Sequence, residues 1–121
     1  MVISGIIAAL AAMQVGASVE PARADINIRI IGRGTMECAI TTTDGNAIRR
    51  ARARALAYDS IRMDDTLNAA CTYDVPDGGE LIIRFIEAAG YACPFDAGIN
   101  EESCSTTIDG PAEGAFELVA N

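Results

Sequence analysis

The stretch Cys71–Gly90, CTYDVPDGGELIIRFIEAAG, constrains the fold more than any other part of the chain. Pro76-Asp77-Gly78-Gly79 separates two apolar, β-branched runs. Pro76 presets φ and lacks an N–H, which ends the incoming strand, and Gly accepts the positive φ of a tight reversal. Ile82 and Ile83 suit a pleated surface better than a helix. These residues predict a β-hairpin, with Leu81–Ile86 as a strand covered on both faces. Arg84 interrupts that run and is expected to reach an edge or a carboxylate.

Similar patterns recur along the chain. Residues 25–32, 35–43, 104–108 and 114–119 read as strands. Asp44-Gly45-Asn46 and Asp109-Gly110-Pro111 read as turns. Residues 59–68 are either a short edge strand or a loop. Cys38, Cys71 and Cys104 are spaced 33 residues apart, and an Asp-Gly pair follows each. That period suggests three repeated β units.

Segment 47–58, AIRRARARALAY, carries two conflicting signals. Its Ala, Leu and Arg are good helix formers, whereas Arg50, Arg52 and Arg54 alternate with Ala51, Ala53 and Ala55 at strand spacing. The repeat favours a strand. The expected fold is therefore all-β: a small, disulfide-linked antiparallel sandwich or barrel of about seven to nine short strands. The alternative is α+β, with one helix at 47–58.

Val2–Val15 is apolar and Ala-rich, and Ala22-Arg23-Ala24 is a small-x-small cleavage pattern. Residues 1–24 thus read as a secretory signal peptide, with an alternative cut after Ala17, and residues 25–121 as one domain. No stable membrane insertion is expected after cleavage, and the destination is the periplasm or the outside. A domain of this size has a marginal core, and disulfides offset that. Cys93–Cys104 and Cys38–Cys71 are the expected pairs.

The net charge of −8 argues against nucleic acid as a partner. The charge is also divided. Residues 25–62 hold seven Arg and four acids, and residues 63–121 hold one Arg and twelve acids. Arg49, Arg50, Arg52 and Arg54 form a candidate anion- or partner-binding stripe, since guanidinium forks grip carboxylates. The acidic C-terminal half, within one molecule or between two copies, is a candidate counterpart, so self-association is one option.

The chain has no His, which excludes Ser-His and Cys-His nucleophiles. Oxidised cysteines offer no thiolate. Asp64-Asp65 and Glu101-Glu102 are neighbours in sequence, so an extended chain points them apart. Asp64, Asp65, Asp74, Asp77 and Asp96 lack the spacing of a calcium loop. Neither metal nor cofactor is expected, nor is enzyme activity. The expected function is an exported, non-catalytic protein-binding or structural module. The alternative is an inhibitor or assembly chaperone of another exported protein.

Overall fold

The structure, a computed structural model, describes residues 22–55, 57–95 and 104–121, the side chains of 87–89 excepted. The expected signal peptide lies outside the described residues up to position 21. Ala24, which a cut before Asp25 would remove, is the first residue of β1 and is buried.

The described chain forms seven strands: β1 (Ala24–Gly32), β2 (Gly34–Thr42), β3 (Gly45–Ala53), β4 (Tyr58–Val75), β5 (Glu80–Ala89), β6 (Cys104–Asp109) and β7 (Ala112–Val119). All pairings are antiparallel, in the order β3-β2-β4-β1-β5-β6, with β7 also on β4. The fold is all-β, and segment 47–58 contains no helix among the described residues. Instead, β3 buries Ala51 and Ala53 and turns Arg50 and Arg52 outward, so the period-two signal prevails over helix propensity. Tertiary burial decides between the two.

The 18-residue β4 organises the molecule. Its first half pairs with β1, and its second half pairs with β2 on one edge and β7 on the other. Both ladders slip near Thr66, where Asp65 takes φ 53°. The inward residues show the same break. Ile61 and Met63 face the core, then Thr66, then Ala69 and Cys71. Each irregularity moves the inward set by one position, so two of them bend the strand and restore its facing. The Asp25 carboxylate accepts the Asp65 N–H at 3.0 Å and secures the bend.

Bent in this way, β4 serves two layers. The first holds its N-terminal half with β1, β5 and β6. The second holds its C-terminal half with β3, β2 and β7. Their inner faces share one core, in which Ile28, Ile30, Ile61, Leu81 and Ile83 of the first layer meet Met36, Cys38, Cys71, Val75 and Leu118 of the second.

The turn at Pro76–Gly79 corrects one expectation. It does reverse the chain, with the Gly79 N–H donating to the Pro76 carbonyl at 2.9 Å and Gly78 at φ 80°. However, β4 and β5 are not paired, and β5 lies between β1 and β6. The turn is a corner between layers, because Val75 before it and Leu81 after it both point into the core. The strand Leu81–Ile86 is also covered on one face only. Leu81, Ile83 and Phe85 are buried, Ile82 is half-buried, and Arg84 and Ile86 face solvent. Residues 59–68, read as an edge strand or loop, are the paired first part of β4.

Both expected disulfides are present. Cys38 and Cys71 sit directly opposite each other on β2 and β4, fully buried. Cys93–Cys104 ties the segment after β5 to the start of β6. That segment sends Phe95 onto Phe116 and Phe85, at ring-centroid distances of 5.0 and 5.8 Å, and closes one end of the core.

Candidate functional site: an arginine-walled groove on the second layer

The outward residues of the second layer fall in register rows. One row runs Arg50, Glu37, Thr72, Ala115 across β3, β2, β4 and β7. The next runs Arg52, Thr35, Asp74, Glu113. A groove of about 850 Å³ crosses these rows, and a smaller hollow of about 400 Å³ adjoins it. The two share Thr35, Arg52 and Asp74 and so form one continuous depression.

One wall carries Arg50 and Arg52 from β3, with Glu37 and Asp59 beside them, and continues to Arg54 just after β3 and Arg33 from the β1–β2 connection. The other wall is acidic, with Asp74 and Glu113 directly opposite each other. Arg50 and Glu37 form an exposed ion pair at 3.5 Å. Such a pair contributes little to stability and leaves both groups free to exchange partners.

Arg33 lies outside the predicted arginine stripe. The Gly32-Arg33-Gly34 connection brings it in. Gly32 has φ 110°, and a Cβ there would collide with the Glu80 carbonyl. The Arg33 N–H donates to that same carbonyl at 2.9 Å. Two glycines flanking an arginine are the only sequence trace of this close approach.

The predicted arginine stripe divides. Arg50 and Arg52 share the groove face, and Arg54 lines its adjoining end. Arg49 pairs with Cys38 in register and therefore projects from the opposite face. The outer edge of β3 carries no strand among the described residues. The Asp59 carboxylate takes one of its groups, the Arg52 N–H, at 2.9 Å.

The remaining candidates scatter. Asp64 and Asp65 sit at the bend of β4, with Asp64 bonded to Arg62 at 3.4 Å, while Asp74 and Asp77 lie at its far end. Asp96, Glu101 and Glu102 lie outside the described residues. Among the described residues no group of acids and cysteines is placed to hold a metal ion. Tyr91, beside Phe85, has a buried hydroxyl without a hydrogen-bond partner among the described residues, and burial pushes its pKa up to about 12.

Comparison with known proteins finds no match: no family model, no curated protein and no solved structure is similar to this chain.

Proposed function

We propose that the protein is an exported, non-catalytic binding module that takes an extended, acidic segment of a partner protein into the groove beside β3. The observation that carries this reading is the convergence of Arg33, Arg52 and Arg54 on one end of a groove that borders the outer edge of β3, which pairs with no strand among the described residues. An incoming strand would gain main-chain hydrogen bonds from the outer edge of β3 ahead of Arg52, whose own N–H the Asp59 carboxylate takes. Its alternate side chains would lie over the groove, where guanidinium forks meet carboxylates. The acidic wall at Asp74 and Glu113 repels a guest carboxylate on that side and so sets its position.

Two disulfides fit an oxidising compartment outside the cytoplasm. Among the described residues no helix is long and apolar enough to cross a membrane. The lack of His and the disulfide-bonded cysteines support a non-catalytic role. The same open edge serves a second reading, an inhibitor or assembly chaperone whose guest strand adds to β3.

The test is fluorescence anisotropy with a labelled Glu-rich peptide and a labelled Lys-rich peptide. The acidic peptide should bind, and should bind more weakly as salt rises. Arg52→Glu with Arg54→Glu should weaken it about tenfold or more. Equal binding of both peptides, or no effect of the double substitution, would exclude the groove as the site.

A further inference from the structure

The outer face of the first layer carries a second row that the groove does not use. Ser60 of β4, Arg29 of β1, Arg84 of β5 and Ser105 of β6 lie opposite one another across four adjacent strands. All four side chains can donate hydrogen bonds, and none is an acid. Arg29 and Arg84 are direct cross-strand neighbours, an arrangement that costs stability between like charges. Arg29 is half-buried, and its Nε is buried with no hydrogen-bond partner among the described residues. Its guanidinium lies over the Tyr58 ring, 4.4 Å from the centroid, which fixes its orientation. Arg84 is exposed.

Among the described residues no carboxylate is bonded to either arginine. Asp64 on the same layer is bonded to Arg62, and the Asp25 carboxylate is held by the Asp65 N–H.

We infer that this row is a phosphate-binding site, with Arg29 and Arg84 gripping one phosphate group and Ser60 at its margin. Neighbouring strands stand about 4.8 Å apart, which suits one tetrahedral anion between two guanidinium forks. A carboxylate has two oxygens, and a single fork satisfies it. A phosphate offers enough acceptor oxygens for both forks at once. The site is on the opposite layer from the groove and is independent of it.

The experiment is a thermal-shift and NMR titration with inorganic phosphate at fixed ionic strength, with acetate as the control anion. The wild-type protein should show saturable stabilisation by phosphate, with shifts at Arg29 and Arg84. Arg84→Gln, at an exposed position that does not threaten folding, should weaken phosphate binding about tenfold or more. Arg84→Glu should abolish it and raise the melting temperature without phosphate, because it pairs with Arg29. Glu87 is opposite Asn27 on the same ladder, so Glu87→Gln tests whether the chain supplies its own anion. That variant should bind phosphate at least as well as wild type. The inference fails if phosphate gives no saturable effect, if acetate acts equally, if Arg84→Gln is silent, or if binding emerges only in Glu87→Gln.

Discussion

Asp44-Gly45 and Asp77-Gly78 are the same dipeptide set between two strands, yet they connect different things. The first joins β2 to β3 in a true hairpin, with Thr42 opposite Gly45. The second joins β4 to β5, which never pair. Both glycines have positive φ, 142° and 80°, so each turn calls for a residue without a Cβ. The difference lies in the flanking faces and in what waits across the core. After Gly45, β3 offers Ala51 and Ala53 to the layer it has just left. After Gly79, Leu81, Ile83 and Phe85 are bulky enough to need the opposite layer, where β1 supplies Ile28 and Ile30. A turn signal specifies reversal, and distant burial selects the strand that pairs. The third Asp-Gly, at Asp109-Gly110, behaves like the second, since β6 pairs with β5 and β7 with β4. Its Gly110 N–H donates to the Gly79 carbonyl at 2.8 Å, so the two corners support each other.

The largest effect should come from removing what holds β2 to β4. Replacing Cys38 and Cys71 together by Ala should cost about 4 kcal/mol, as expected for a loop of 33 residues. Chemical denaturation would measure it, and a cost below about 1 kcal/mol would mean that the ladder does not need its cross-link.

Next is Gly110→Ala at the paired corners. A Cβ there would overlap the Pro76 carbonyl, which is backbone and cannot swing aside. A loss of about 3 kcal/mol or more is expected. Gly45→Ala is its counterpart in the hairpin. Among the described residues no atom beyond its own chain neighbours lies within 4 Å of a Cβ at that position, so only the backbone conformation resists, at about 1 kcal/mol. Equal costs at the two sites would erase the distinction between hairpin and corner.

The smallest effect at neutral pH should be that of Tyr91→Phe, which removes a hydroxyl that bonds to nothing among the described residues. Its signature is alkaline. The folded pKa is raised from 10.0 to about 12, so folding favours the protonated phenol. That contribution is complete below pH 10 and is lost as pH rises through about 12. Stability curves against pH should therefore fall less steeply in Tyr91→Phe than in wild type over that window.

Several features are legible in the residues alone. Strand spacing in Arg50–Ala53, the β-branched runs and the cysteine positions suffice for an all-β domain with these two disulfides. Each depends on local periodicity or on loop length. The spacing of 33 residues predicts three like units, and the structure does not build them alike: β2 and β3 pair across Asp44-Gly45, whereas β4 and β5 do not pair across Asp77-Gly78. What stays hidden depends on bends and on remote pairing. Asp59–Val75 reads as two pieces because its inward residues change parity twice near Thr66, while the chain runs straight through as one bent strand. Arg49 reads as one of four equivalent arginines, and only the register against Cys38 shows that it faces away. Arg33 joins the groove through a close backbone contact with Glu80 that leaves no trace beyond its flanking glycines.

The groove depends on β7 standing beside β4, because Glu113 on β7 supplies half of its acidic wall. The arrangement of strands on either side of the Pro76–Gly79 turn is therefore the point on which both the fold and the binding proposal rest. Cross-strand NOEs measured on uniformly labelled protein test it directly. They should connect Ile28 with Phe85 and Ile30 with Ile83, and Asp74 with Glu113. A ladder running outward from the turn, joining Val75 to Glu80 and Tyr73 to Ile82, would contradict it.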